Sequence, residues 1–203
     1  MNIDSKYETR VRPLRERLRE ETARAILVAA EEVFAEKGMH DARVEEIAAR
    51  AGVSVGTVYN HFEDRHTLLA ELVESRRKEL ARRLDQALAD QQPFAAQLQG
   101  FALTVFEHFE SHRPFLSIML ESDTARVTQP SQAMREVRAR IETLVRRGLD
   151  QKALRSDRAA LLPSMLTGAL KAILMHDLRN PGQLAVPERA AAAIDFFLNG
   201  AGA

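Results

Sequence analysis

The sequence contains no cysteine and only 9 glycines and 7 prolines among its 203 residues. The absence of cysteine excludes a disulfide framework and thiolate chemistry. Long runs of β-branched residues are also missing, whereas alanine, leucine, glutamate and arginine are abundant, and this composition is typical of an all-α protein. Hydrophobic residues make up 45% of the chain, which is enough for a sizeable core in one domain or two small ones.

Two further absences concern charge and location. The 29 lysines and arginines balance 29 aspartates and glutamates, so the chain is not a non-specific polycation. The N-terminus has no apolar segment of the kind found in signal peptides, and no apolar run approaches the roughly 18 residues that span a bilayer. We therefore expect a cytoplasmic protein without a membrane partner.

The segment VEEIAARAGVSVGTVYNHFEDRHTLL, residues 44–69, predicts two short helices joined by a tight turn and followed by the start of a third. Apolar residues recur at i, i+3 and i+4 from Val44, which is typical of a buried helix face. Gly52 follows as a C-cap tolerant of positive φ, and Ser54 offers its side-chain oxygen as the next N-cap. Two short helices joined by a glycine-containing turn are typical of the helix-turn-helix.

The second short helix divides into an inward and an outward set. Val55, Val58 and Phe62 recur at helical spacing and face inward, and the residues between them face mostly outward: Gly56, Thr57, Tyr59, Asn60 and His61. In a helix-turn-helix this helix lies in the DNA major groove, where asparagine can pair with adenine and valine can pack on a thymine methyl. The alternative is that Tyr59 packs within the protein and His61 is merely solvated.

The run AGVSVGTVYNHFEDRHTLL, residues 51–69, resembles the DNA-binding motif of the TetR family of transcriptional regulators. The matching positions are Ala51-Gly52-Val53-Ser54, Gly56-Thr57, Tyr59 and His61-Phe62, and FAEKG at 34–38 lies at the family's spacing. The resemblance covers about residues 20–70. The sequence differs from the family's usual Thr or Ser before Val44, where it has Ala42-Arg43, and from the frequent Lys at Val55.

The resemblance, with these patterns, predicts the DNA contacts. The hydroxyls of Thr57 and Tyr59 and the imidazole of His61 would bind phosphates. Val55, Gly56 and Asn60 would face bases. Arg65 lies where the family commonly carries Lys at the start of the next helix, a position that suits a phosphate. The predicted DNA-binding residues are Arg43, Ser54, Val55, Gly56, Thr57, Tyr59, Asn60, His61 and Arg65.

The predicted fold is all-α, with nine helices as the resemblance also implies. Periodicity and turn residues place them at about 13–37, 44–51, 55–62, 65–89, 94–111, 114–121, 131–152, 158–178 and 187–198. We predict a basic N-terminal arm (1–19), which either reaches DNA or is a solvated terminus, a helix-turn-helix domain (20–64), and a ligand-binding and dimerisation domain (65–203). The long helix after residue 65 leaves no flexible linker and could transmit a conformational change.

The C-terminal region predicts an apolar ligand pocket and a dimer interface. A stripe of phenylalanines and methionines usually means core, but the resemblance implies a pocket, for which the candidates are Phe101, Val105, Phe109, Met119 and Met165. The helix at 158–178 is apolar almost all round, so we expect it to be buried. With the last helix it predicts a four-helix bundle across a two-fold axis, through Leu161, Met165, Gly168, Ile173, Ile194, Phe197 and Leu198.

An enzyme is the competing class, and the sequence offers it little. There is no glycine-rich phosphate loop, nucleophile elbow or metal-ligand set, so no catalytic residue, cofactor or metal is predicted. His108 and His112 share a helix face, but Phe109 stands where a zinc protease needs Glu, which favours surface or pocket histidines over a metal site. We expect a homodimeric repressor, released from palindromic operator DNA by a small apolar or aromatic effector. The alternative on the same fold is an activator or a DNA-independent adaptor.

Overall fold

The computed structural model describes residues 13–88, 92–115, 118 and 131–201. Within these ranges the chain forms eight α-helices and no strand, which confirms the all-α prediction. The helices are α1 (Leu14–Asp41), α2 (Val44–Ala51), α3 (Val55–His61), α4 (Arg65–Ala87), α5 (Phe94–Ser111), α6 (Gln132–Asp150), α7 (Leu162–Arg179) and α8 (Val186–Ala201). Short 3-10 helices occupy Arg113–Phe115 and Ala159–Leu161. Apart from residues 114, 115 and 118, the helix predicted at about 114–121 lies outside the described residues.

The chain divides into two compact units, Met1–Glu71 and Leu72–Ala203, and the boundary falls inside α4. In the first unit α1 begins directly after Pro13, so residues 14–19 of the predicted arm are helical turns rather than a separate segment. Gly38, with φ 77° and ψ 173°, interrupts the helical conformation where the sequence predicted the helix to end. α1 and α2 pack around Ile26, Phe34 and Ile47, each at most 1% exposed.

The second unit is built around α5, which packs against α6, α7 and α8. Its core is aliphatic and aromatic, and its fully buried side chains include Leu84, Leu98, Phe101, Phe106 and Leu144. α6 begins where Ser131 Oγ accepts the backbone N–H of Met134 at 3.2 Å.

Gly148 allows a close approach on the inner side of α6. A Cβ there would lie 2.7 Å from Leu154 Cδ1 and 2.8 Å from the Phe94 ring. Because both neighbours are buried in the core, any larger residue would have to displace them. Glycine is therefore a packing requirement at this position.

A buried ion-pair network joins α5, α7 and α8. Asp177 and Arg189 are only 3% and 4% exposed, and Arg189 donates to Asp177 Oδ2 at 2.9 Å and to Glu110 Oε2 at 2.7 Å. Arg113 donates to the same Asp177 carboxylate and to the Asp177 carbonyl, and the hydrogen bond to this carboxylate raises the pKa of Arg113. Removing one member of such a network leaves an uncompensated buried charge, which typically costs about 3–5 kcal/mol.

α7 differs from its prediction in both its start and its burial. It begins at Leu162 after the 3-10 turn, and only one face is buried, formed by Leu162, Leu166, Ala169, Leu170, Leu174 and Asp177. By length and mean hydropathy, residues 159–179 could cross a membrane, contrary to the sequence-based expectation. Only 28% of the most apolar 18-residue stretch in this segment is buried. A single chain therefore covers only one face of α7, and the burial of its other apolar side chains against a second copy stays a prediction.

Candidate DNA interface and effector region

The turn between α2 and α3 has the geometry that its sequence predicted. Gly52 adopts φ 68° and ψ 29°, and its N–H donates to the carbonyls of Ala48 and Ala49, which ends α2. Ser54 then accepts the N–H of Thr57 at 3.1 Å, and the two hydroxyls lie 2.9 Å apart. These bonds fix the start of α3 and the orientation of both hydroxyls.

The start of α2 is capped without the Ser or Thr that the TetR pattern usually has there. The Glu46 carboxylate accepts the backbone N–H of Arg43 at 3.4 Å. Glu46 also forms an ion pair with Lys37 of α1, and the hydrogen bond that Lys37 donates to the Glu46 carboxylate lowers the pKa of Glu46. The Arg43 side chain itself is exposed, as a DNA contact requires, and its contact with DNA stays a prediction.

α3 presents a polar outer face over a buried inner one. Val58 is 1% exposed and Phe62, which ends the helix, is 6% exposed, so both anchor the inner side. Tyr59 is 50% exposed, and Gly56 and Asn60 are exposed with it, whereas Val55, Thr57 and His61 are partly buried. Tyr59 and Asn60 therefore lie on the outer face of α3 and not in the core, and their contact with DNA stays a prediction.

The beginning of α1 and the end of α3 line an open hollow of about 570 Å³. Arg15 and Arg19 supply two cations against Glu16, and Asn60 and His61 supply hydrogen-bonding groups. Burial, and next the positive charge of Arg19, lower the pKa of His61. The hollow therefore combines positive charge with donors, which suits an anion such as a DNA phosphate.

Arg65 has a structural role that the sequence analysis missed. Its Nη1 donates to the carbonyls of His40 and Ala42, at 2.8 and 3.1 Å, and so ties the start of α4 to the connection between α1 and α2. Asp64 caps the same helix by accepting the Thr67 N–H at 2.7 Å, which lowers the pKa of Asp64. A phosphate contact by Arg65 stays a prediction, and its replacement would also loosen this tether.

The predicted pocket residues do not all lie together. Phe101 and Val105 are buried in the core of the second unit, and Phe109 is partly buried against the same core. Met165 does not join them, because it is 38% exposed on the outer face of α7. Met119 lies outside the described residues.

The predicted interface residues fall into an exposed and a buried group. Leu161 is 58% exposed, and Leu161, Met165, Gly168 and Ala172 are exposed at i, i+4, i+7 and i+11, which places them on one face of the helical segment. Ile173, Ile194 and Leu198 are partly buried against their own core.

Phe197 requires a correction. It is 2% exposed in the core of its own chain, whereas its neighbour Phe196 is 73% exposed. Because α8 carries apolar residues on both sides, the sequence alone does not show which of the two phenylalanines faces outward. The outer side of α8 is therefore presented by Phe196.

Comparison with known proteins gives the same picture for the N-terminal part. Residues 26–72 match the family model of bacterial regulatory proteins, tetR family. The HTH-type transcriptional repressor BepR of Brucella suis is 45% identical over 53 residues, 26% of this chain and 25% of BepR. The HTH-type transcriptional activator FasR of Mycolicibacterium smegmatis is 31% identical over 115 residues, 57% of this chain and 52% of FasR. The chain thus spans a quarter to a half of these curated relatives.

The likeness to a solved structure extends over nearly the whole chain. SmeT, the repressor of the Stenotrophomonas maltophilia multidrug efflux pump SmeDEF, is 26% identical with a TM-score of 0.74, covering 89% of this chain and 90% of SmeT. A complex of SmeT with triclosan matches with 25% identity and a TM-score of 0.70. The helix-turn-helix and the all-α fold are those of the transcriptional regulators to which the chain is similar. Residues 26–72 thus match the TetR family of transcriptional regulators, and the all-α fold of the chain is TetR-like.

Proposed function

We propose that the chain is a homodimeric repressor that binds palindromic operator DNA through α3 and is released by a small apolar or aromatic effector. The observation that carries this proposal is the outer face of α3, where half-exposed Tyr59 and exposed Asn60 stand beside the hollow lined by Arg15, Arg19 and His61. The side-chain amide of Asn60 has both the donor and the acceptor that pair with an adenine, and the cations suit the flanking phosphates. DNA lies in the cytoplasm of a bacterial cell, where we propose that the chain acts.

The outer faces of α7 and α8 support a dimer. Leu161, Met165 and Phe196 are apolar and 58%, 38% and 73% exposed in a single chain. Gly168 lies between them in sequence, and a Cβ built there would meet nothing within 4 Å. Exposed apolar side chains on two consecutive helices suit burial against a second copy, with a four-helix bundle across a two-fold axis.

The effector is proposed from the chemistry of the second unit. Its core around α5 is rich in phenylalanine, and SmeT, which this chain resembles, has been solved with the aromatic molecule triclosan. The α4 helix belongs in part to each unit, so a ligand that shifts α4 in the second unit would also displace its beginning. The ligand releases DNA only if it binds the two conformations with different affinity.

Whether the chain represses or activates transcription can be tested with a reporter gene fused to the promoter that the chain controls. BepR and SmeT are named as repressors and FasR as an activator, so the family contains both. Deleting the gene for this chain should raise reporter output, and restoring the wild-type chain, but not an Asn60→Ala variant, should lower it again. A fall in output upon deletion would make the chain an activator, and no change in output together with no binding to DNA in vitro would favour a DNA-independent adaptor.

A further inference from the structure

Three potential metal ligands come together where α4 packs beside α5 in the second unit. His108 and His112 are one turn apart on α5, and Glu79 of α4 faces them. One ligand atom from each residue lies within 4.8 Å of the others, and His112 Nε2 is 3.6 Å from Glu79 Oε2. The sequence showed the two histidines but not the carboxylate, because Glu79 is distant in the chain and only packing brings it there.

These distances are close to those of a coordinated ion. Zinc binds nitrogen and oxygen ligands at about 2.0–2.2 Å, so two ligands of a tetrahedral ion lie roughly 3.4 Å apart. The pair formed by His112 and Glu79 already has this spacing. The widest separation in the cluster would have to shorten by about 1.4 Å, which small side-chain rotations of the glutamate and the histidines can supply.

The surroundings also suit a bound cation. His108 is fully buried, and the side chains of His112 and Glu79 are 12% and 33% exposed, so a solvent molecule can complete the coordination shell. Arg76 pairs with Glu79 Oε2 at 3.2 Å, but a carboxylate has about four lone-pair sites and can accept an arginine and bind a metal together.

We propose that Glu79, His108 and His112 form a binding site for a divalent transition-metal ion, with Zn²⁺ as the ion that the ligand set fits best. Two histidines and a carboxylate are a known zinc ligand set, and imidazole ligands exclude Mg²⁺ and Ca²⁺ as preferred ions. The ion joins α4 to α5. Its polar ligands differ in chemistry from the proposed aromatic effector pocket, but the two adjoin, because the His108 ring contacts the Phe109 ring edge-on with centroids 5.5 Å apart.

The test uses the full-length chain without an affinity tag, stripped of metal with a chelator. Cobalt(II) serves as the spectroscopic probe, because a four-coordinate site of this kind gives strong visible absorption bands that solvated cobalt lacks. We expect one Co²⁺ per chain, displaced by an equal amount of Zn²⁺, and a rise in the Tm of the wild-type chain with Zn²⁺. Glu79→Gln and His112→Ala should each weaken Zn²⁺ binding by about 100-fold or more.

His176→Ala is the matched control, because His176 is an exposed histidine on α7 outside the cluster. It should keep the wild-type affinity and the cobalt spectrum. The fully buried His108 is left intact, so the two variants need not unfold the chain, and their circular dichroism should match the wild type. Wild-type affinity in both Glu79→Gln and His112→Ala, or no stoichiometric binding by the wild-type chain, would overturn the proposal.

Discussion

At the scale of single residues, α3 separates side chains that build the helix from side chains that face outward. Ser54 and Thr57 hydrogen-bond each other and the helix start, so they hold the backbone in place. Tyr59 and Asn60, nearer the C-terminal end of α3, are exposed on its outer face. Loss of a helix-building residue should therefore affect stability and DNA binding together, whereas loss of an outward residue should affect only DNA binding.

The first prediction separates base reading from phosphate binding on α3. Asn60→Ala should cost about 1–3 kcal/mol in operator binding and relax preference at one position of each half-site, because asparagine would contact a base edge. Tyr59→Phe removes only a hydroxyl and should weaken binding evenly across sequences, because a phosphate contact carries no base information. Titration over single-base operator variants distinguishes the two. An equal loss at every position for Asn60→Ala would make Asn60 a backbone contact.

The second prediction concerns the pH dependence of DNA binding. Burial and then Arg19 lower the pKa of His61 below its ordinary value of 6.5, so the free protein holds the imidazole neutral near pH 7. A phosphate beside His61 would favour the protonated ring and raise its pKa in the complex. DNA binding would then take up a proton, and affinity should increase as the pH falls from about 8 to about 6.

The same linkage defines the control for His61. His61→Gln should remove most of this pH slope, whereas His66→Gln, at an exposed position near the start of α4, should leave it in place. Binding isotherms at several pH values and constant ionic strength measure both slopes. An unchanged slope in His61→Gln would place the titrating group elsewhere.

Arg65 shows what a residue pattern cannot reveal at this scale. Its position in the motif indicated a phosphate contact, but its carbonyl partners at His40 and Ala42 lie more than twenty positions earlier in the chain. Local spacing predicts which face a side chain takes, and it says nothing about partners that only the folded backbone brings near. The Glu79 carboxylate beside His108 and His112 was missed for the same reason.

At the scale of helices, elements with strong local signals were predicted within a few residues. α2 ends where Gly52 caps it, α3 begins where Ser54 caps it, and α5 matches its predicted range. α7 was less predictable because an apolar helix looks the same in sequence whether its own chain or a second copy covers it. The choice between Phe196 and Phe197 on α8 failed for that reason, since only packing shows which of two adjacent aromatics points inward.

The third prediction tests the exposed face of α7. Gly168→Arg should yield folded monomers, because a Cβ at Gly168 meets nothing within 4 Å in its own chain and the arginine would place a charge in the proposed dimer interface. Sedimentation velocity gives the oligomeric state, and circular dichroism checks the fold. Ala139→Arg, at an exposed position on α6 that does not line the groove containing Gly168, is the matched control and should remain dimeric. A stable dimer of Gly168→Arg would place the interface elsewhere.

At the scale of the whole molecule, DNA and effector should oppose each other. If the effector favours a conformation that binds DNA poorly, operator DNA must weaken effector binding by the same factor, because coupling between two sites is reciprocal in free energy. Triclosan is a suitable first probe because SmeT has been solved with it. Its affinity for the chain, measured with and without operator, should differ, and equal values for a confirmed ligand would contradict coupling through α4.

The most direct test of the central claim is the architecture of the DNA that the chain selects. A dimer that places two α3 helices in successive major grooves should select, from random duplexes, an inverted repeat whose half-sites are centred about one helical turn, roughly 10 base pairs, apart. One dimer should bind each site, with affinity falling steeply as salt increases. Selection of no preferred sequence, or of a single half-site bound by one chain, would contradict the proposal that this protein is a dimeric operator-binding regulator.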